Sequence, residues 1–354
     1  MKKPLQIMKK AGAVLLALTA SFLVIRWTGI IINSTTPKGG INESMYVDIN
    51  GTKQWISIYG EDIDNPVLLY LHGGPGSATS PVDYAFTRKW SDVYTVVTWD
   101  QRNCAMSYDK ELKGSIITAD TMMEDGKEMT EFLLDHLDKD KITLLGHSWG
   151  SLYGANLALT YPQYYDAFIG AGQLIDRKEN EKRFAKAASS FDNEDPKCIE
   201  DLKTIKSSYD LITDDYMEAK TDLLESNGYG VMKDGTDYNT FTAVIFNPSY
   251  SLRDYISYYA HMKGTEEQYD RFLNTELDRM SIIDKTDYEV PFYNINGDLD
   301  YQTSYDLAYE YFKEVNAPKK AFYTLEGGTH GLMMSRSEEF SDIVHEISKL
   351  SDNT

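Results

Sequence analysis

Short, continuous apolar runs alternate along this chain with segments of helical period, and that rhythm restricts the folds open to it. The runs are Pro66–Leu71, Thr95–Trp99, Ile142–Leu145, Ala167–Gly172, Phe292–Ile295 and Ala321–Leu325. Between or after them lie helical periods at Thr118–Leu137, Trp149–Tyr161, Ser304–Val315 and Glu338–Leu350. A strand that is apolar at every position is buried on both faces, and helices between such strands provide the covers. The pattern predicts an α/β fold built on a mostly parallel, doubly wound sheet. Two alternating runs, Met45–Ile49 and Gln54–Tyr59, flank Asn50-Gly51. That arrangement predicts a hairpin that adds an antiparallel edge.

From Asp176 to about Lys285 the rhythm stops. This stretch is acidic, rich in tyrosine and helical in pattern, and it is too long for a loop. It reads as a helical cap inserted between two strands. The expected organisation is therefore an amino-terminal segment 1–33, a first part of the core at 34–175, a cap at 176–285 and a second part of the core at 286–354. Acidic residues number 55 and Lys plus Arg 35, so the formal charge is −20. Such a field repels a phosphate backbone and excludes a nucleic-acid partner. Two cysteines make no disulfide framework, and no CxxC or HExxH pair announces a metal site. Nothing in the pattern signals an oligomeric state.

The amino terminus follows another rule. Lys2, Lys3, Lys9 and Lys10 precede an apolar run over Ala11–Ile25, which Arg26 interrupts and Trp27–Ile32 resumes. As a helix, residues 11–32 rise about 33 Å at roughly 1.5 Å per residue, enough to cross a hydrocarbon core. The lysines mark the cytoplasmic side, and Arg26 is expected to snorkel to the far interface beside Trp27. The expected partner is a lipid bilayer, with the remainder of the chain outside the cytoplasm. A cleaved signal peptide is the alternative, and the secreted remainder would then be the mature form. Asn33–Gly40 is a polar, turn-rich linker.

Gly146-His-Ser-Trp-Gly150 is G-x-S-x-G between an apolar strand and the start of a helix. This is the context of a nucleophile elbow, which makes Ser148 the candidate nucleophile. His72-Gly-Gly-Pro-Gly76 follows the strand Pro66–Leu71. Backbone N–H groups of Gly73 or Gly74, with that of Trp149, are candidates for an oxyanion hole. His72 itself reads as a structural residue that fixes the loop. The hydroxyl needs a base later in the chain. His72 and His147 sit in these loops, His136 precedes the serine, His261 lies in the cap and His345 in the last helix. His330, in Gly327-Gly-Thr-His-Gly331 between the last strand and the last helix, remains. For the orienting acid, the segment after Phe292–Ile295 offers Asp298 and Asp300, while Asp100 comes too early in the chain.

HGGPG at 72–76, WDQR at 99–102 and GHSWGS at 146–151 together resemble the proline iminopeptidase family of α/β-hydrolases. The likeness covers about residues 45–175 and 286–354. It implies an α/β-hydrolase fold with Ser148 as nucleophile, His330 as base and Asp300, three residues after Gly297, as its partner. It implies no cofactor. Where the family carries DQRGCG-x-S this chain has Asp100-Gln-Arg-Asn-Cys-Ala-Met-Ser107, so Asn103 and Ala105 replace glycines and Cys104 takes a structural place. Family aminopeptidases hold the substrate amine through cap glutamates. No such motif aligns here, and Glu179 and Glu181 read as an exposed, solvated face. The expected activity is acyl-enzyme hydrolysis, with aminopeptidase action on short peptides. A carboxylesterase or lactonase on the same triad is the second reading. A catalytically idle, membrane-tethered binding protein is the third, and a fluorophosphonate probe separates it from both enzymes.

Overall fold

The structure is a computed structural model that describes residues 2–112, 114–191 and 195–351. Its strands are β1 (Ile41–Ile49), β2 (Thr52–Gly60), β3 (Val67–Leu71), β4 (Thr95–Asp100), β5 (Ile142–His147), β6 (Tyr165–Ala171), β7 (Phe292–Gly297) and β8 (Lys320–Leu325). They form one sheet in the order β1-β2-β4-β3-β5-β6-β7-β8. The first two ladders, β1 with β2 and β2 with β4, are antiparallel; the rest are parallel. The expected hairpin is therefore the antiparallel edge, and its Asn50-Gly51 turn has φ of 44° and 75°. Two successive positive φ values are what a tight hairpin turn demands of those residue types.

Helices cover both faces. They are α1 (Lys2–Asn33), α2 (Tyr84–Thr87), α3 (Ala119–His136), α4 (Trp149–Thr160), α5 (Arg177–Ala188), α6 (Pro196–Ser208), α7 (Asp214–Ser226), α8 (Thr240–Phe246), α9 (Leu252–Thr275), α10 (Tyr305–Glu314), α11 (Leu332–Ser335) and α12 (Ser337–Ser351). Strand β3 shows why its run is apolar throughout. Val67, Leu69 and Leu71 enter the core under α3 and α4, while Leu68 and Tyr70 enter the opposite core with Phe86 and the α12 residues Phe340, Val344 and Ile347. Period-two alternation persists, but both sides are covered.

Between β6 and β7 run α5–α9, the helical insertion expected from the break in rhythm. The insertion holds its own core of Phe184, Cys198, Ile205, Tyr216 and Leu223. Its last helix starts in a capping box, Ser251 with Asp254, and its second half packs Tyr269 and Phe272 into the main core. Phe272 meets Trp149 edge-on at 5.2 Å, so the insertion is seated over the start of α4.

The amino-terminal segment corrects one expectation. The helix does run through the apolar stretch to Asn33, and Lys10–Asn33 is long and apolar enough to cross a membrane. Arg26, however, does not snorkel outward: it is 6% exposed. Its guanidinium donates to the carbonyl oxygens of Ile245 and Tyr250, the latter at 3.0 Å. Asn33 donates to Phe246 O at 2.8 Å. The carbonyls left unpaired at the end of α8 and in the turn after it capture the charge before solvent does. The side chains of Lys2, Lys3 and Lys9, on which the expected orientation partly rests, lie outside the described residues.

Candidate active site

Ser148 sits between β5 and α4 with φ 56° and ψ −122°. A side chain in that region is strained, and the turn that holds it is possible because Gly146 and Gly150, two positions away on either side, carry no side chain. A Cβ on Gly146 would lie 2.1 Å from Gly150 O, and one on Gly150 would lie 2.1 Å from Leu71 O. No other residue allows so sharp a strand-to-helix turn here. The turn leaves Ser148 partly exposed while His147 and Trp149 on either side are buried.

His330 lies in the loop between β8 and α11, and Asp300 in the loop after β7. Nδ1 of His330 is 2.8 Å from Oδ2 of Asp300. The carboxylate accepts, so Nδ1 carries the proton and Nε2 keeps the basic lone pair. Oδ1 of Asp300 accepts the N–H groups of Gln302 and Thr303, each at 2.9 Å, and Oδ2 accepts the Thr303 hydroxyl at 2.9 Å. Burial alone would push this carboxyl up. The neighbouring imidazole and the Thr303 donors outweigh burial and hold it below the ordinary aspartate value. Asp298 is exposed and accepts the N–H of Gly327 at 2.6 Å. It ties the acid loop to the histidine loop, and the carboxylate that meets His330 is Asp300.

The elbow and this pair converge through one residue. Ser148 N–H donates to Ala171 O at 2.9 Å, and the next residue is Gly172. A Cβ on Gly172 would stand 3.1 Å from His330 Nδ1 and 3.2 Å from Asp300 Oδ2. Gly172 also has φ 52°, so it meets both a positive φ and a close approach. Its position at the end of an apolar run was the signal available in the sequence, but nothing there marked its neighbours.

On the other flank, Gly73 lies against the serine: a Cβ there would be 3.2 Å from Ser148 Cβ. Gly74 turns instead toward Gly76 and Ser77 in its own loop. The Trp149 N–H belongs to the first turn of α4, where backbone donors lack intrahelical partners. His72 has the structural place expected of it. Its Nε2 accepts Gln101 N–H at 3.2 Å, and its Nδ1 is 2.8 Å from Gly73 O. Gln101 also donates to His72 O and accepts the Trp149 indole N–H at 2.9 Å. One buried glutamine thus ties together the ends of β3, β4 and β5, a function that sequence reading did not assign. Burial pushes His72 down to about 4 and His147 to about 3, so both stay neutral. His147 donates from Nε2 to His330 O at 2.9 Å, and the two rings lie 4.7 Å apart.

The remaining candidates sort by their contacts. Asp100 is buried beside Ser80 and the Met106 N–H, away from His330, and burial pushes its carboxyl up to about 8. Cys104 and Cys198 are both buried and unpaired. Asn103 and Ala105 keep φ of 55° and 43°, so the backbone retains a glycine-type conformation without glycines. A cavity of about 90 Å³ lies between the Pro75–Ser77 loop and α9, lined also by Tyr108, Tyr258 and Met262. Glu181 is not the solvated residue expected from the sequence. It is 6% exposed, accepts two bonds from Lys220 Nζ at 2.8 and 2.9 Å, and accepts the Tyr216 hydroxyl. Glu179 pairs with Lys182 and Arg183. Periodicity marked both positions as polar but gave no sign that Glu181 has partners thirty or more residues away.

The model of the α/β hydrolase fold family matches residues 66–337. The chain belongs to the α/β hydrolase fold family. This α/β hydrolase is 34% identical over 135 residues to a Bacillus subtilis (strain 168) protein named Probable aminopeptidase YbaC, a match covering 38% of this chain and 42% of that one. It is 30% identical over 158 residues to a proline iminopeptidase of Clostridioides difficile (strain 630), covering 44% and 52%. The matched regions thus span about half the length of these relatives or less. Among solved structures, the proline iminopeptidase of Mycobacterium smegmatis superposes with a TM-score of 0.64 at 18% identity, covering 88% of this chain and 99% of that one. The shared fold and the family membership support an enzyme of hydrolytic type.

Proposed function

We propose that this α/β hydrolase is a serine hydrolase that works through Ser148, His330 and Asp300 and forms an acyl-enzyme. The observation that carries the reading is the 2.8 Å bond between His330 and Asp300, set against Gly172 beside the strained elbow of Ser148. His330 Nε2 takes the Ser148 hydroxyl proton as Oγ attacks the substrate carbonyl. Asp300 stabilises the imidazolium that forms. The tetrahedral oxyanion meets the N–H groups of Trp149 and Gly73; one such donor is typically worth about 10²–10³ in rate. Collapse of the intermediate passes the proton from His330 to the leaving group. Water then repeats the cycle on the acyl-enzyme and restores the serine.

The named relatives support the first reading of the substrate class, an aminopeptidase acting on short peptides. One observation favours the second reading, a carboxylesterase or lactonase. Glu181 is held by Lys220 and Tyr216, and Glu179 by Lys182 and Arg183, so these cap carboxylates are already paired. Proline p-nitroanilide and a short-chain p-nitrophenyl ester, assayed side by side with Ser148→Ala as the blank, decide the matter. Turnover of the anilide alone supports the peptidase, and turnover of the ester alone replaces it. Turnover of neither, with no labelling by a fluorophosphonate, removes the serine-hydrolase reading.

The same proposal places α1 in a lipid bilayer as an uncleaved anchor, with the hydrolase on the extracytoplasmic side. The bonds of Arg26 and Asn33 to the cap support retention, since cleavage after the apolar run would remove them.

A further inference from the structure

We infer that the start of the cap's longest helix, together with α8, rests in the outer headgroup region of the bilayer, so that the cap is a second point of membrane contact. This rests on the reading of α1 as an anchor. Ala11–Ile25, the run before Arg26, rises only about 22 Å at roughly 1.5 Å per residue. A hydrocarbon core of about 30 Å leaves a shortfall of about 8 Å, or roughly five residues, and any tilt enlarges it. The missing length lies in Arg26–Asn33, which is the part bound to α8 and the turn after it. Arg26 bonds Ile245 O and Tyr250 O, Asn33 bonds Phe246 O, and a Cβ on Gly29 would overlap the Phe246 ring. Drawing residues 26–31 to the acyl boundary therefore draws α8 with them. The charge of Arg26 is then tolerable at that depth because cap carbonyls, rather than lipid, surround it.

The surface beside this junction has the composition such a position requires. Leu252, Ile256, Tyr259 and Met262 recur at helical spacing along α9 and are 56%, 72%, 66% and 42% exposed. Phe241 on α8 is 69% exposed. Scattered apolar residues on a surface need no explanation, but a stripe continuous with an anchor does. The stripe also ends sharply: the next strongly exposed positions of α9 include Glu267, Asp270 and Arg271. An amphipathic helix of this kind buries its apolar face about 5–10 Å into the headgroup and acyl boundary. The net charge of −20 argues that apolar burial, not attraction to anionic lipid, provides the contact.

The test uses the full chain in phosphatidylcholine vesicles, with a single environment-sensitive fluorophore on Ile256→Cys or on Tyr259→Cys. Cys104 and Cys198 are buried, and the unsubstituted chain measures their background labelling. Glu314→Cys, exposed at the end of α10 toward the opposite edge of the sheet, is the reference. The expected result is a blue-shifted emission and about a twofold quenching by lipids brominated on the acyl chain at both α9 positions, with none at 314. Chain that floats with vesicles while the α9 probes stay unquenched overturns the membrane seat and leaves the anchor standing. Chain that fails to float removes the anchor reading and the seat with it. A blue shift without bromine quenching, together with disulfide crosslinking of two unlabelled Ile256→Cys chains to each other, overturns the inference in favour of a second copy of the chain.

Discussion

Asp298 and Asp300 stand two residues apart in opposite surroundings. One is exposed on a backbone N–H; the other is buried on the imidazole of His330. Asp300→Asn is expected to lower kcat by about 10⁴, as an amide in a comparable triad does, because it cannot stabilise the imidazolium. Asp298→Asn keeps a hydrogen-bond acceptor for Gly327 and should cost little. Steady-state kinetics on the two variants check this, and a reversed order of damage would move the acid to Asp298. Ala105 gives a second prediction at this scale. With φ 43° its Cβ is strained, whereas glycine adopts that conformation freely. Ala105→Gly should raise unfolding stability by up to about 1 kcal/mol in urea titration, the strain relief being partly offset by the greater freedom of glycine in the unfolded chain. The sequence showed that two family glycines were replaced, but the backbone conformation at those positions was not readable; in the structure both have positive φ. Likewise Ser148 and His330 were legible because a motif and an elimination among histidines point to them. Gln101 was not, because its value lies in bonds to His72 and Trp149, which only the folded sheet brings together.

Among the secondary elements, the buried pair of α5 and α7 makes a sharp prediction. Lys220→Met leaves Glu181 as a buried charge with only Tyr216 and Asn180 as donors, and should destabilise by about 3–5 kcal/mol. The double variant Glu181→Leu/Lys220→Met removes both charges and should recover most of that loss, as chemical unfolding would show. The junction between β4 and the cap gives a pH dependence. Asp100 lies beside Ser80, whose hydroxyl also meets the Tyr250 hydroxyl, and burial raises its carboxyl to about 8. The folded state therefore holds a proton that the unfolded state releases near pH 4, so the contribution of Asp100 to stability falls as pH rises from about 4 to about 8. Asp100→Asn has no such proton. Its melting temperature should gain on that of the parent chain across this window, and parallel curves would contradict the assignment. At this scale the sequence was most informative. The apolar runs gave the strands to within a few residues, and Asn50-Gly51 gave the hairpin. It was silent on α2 and α11, which are each a single turn and leave no period to read.

For the whole molecule, the proposed topology predicts that the full chain stays with membranes after a high-salt wash. Protease added to intact spheroplasts should digest the hydrolase domain, and protection would refute the orientation. Release of a shortened chain into the medium would favour the cleaved segment and leave the proposed Ser148 chemistry unaffected. The join between α1 and the cap has a mechanical consequence. A domain on a slack leash can turn and sample every approach, and its reach is set by the length of the leash. Here the end of α1 is clamped by Arg26 and Asn33 to the carbonyls around α8, so the residues from Ser34 to Gly40 are not the sole tether. Inserting flexible glycine–serine residues after Ser34 should leave the body's attitude toward the helix unchanged, whereas Arg26→Ala should set it swinging.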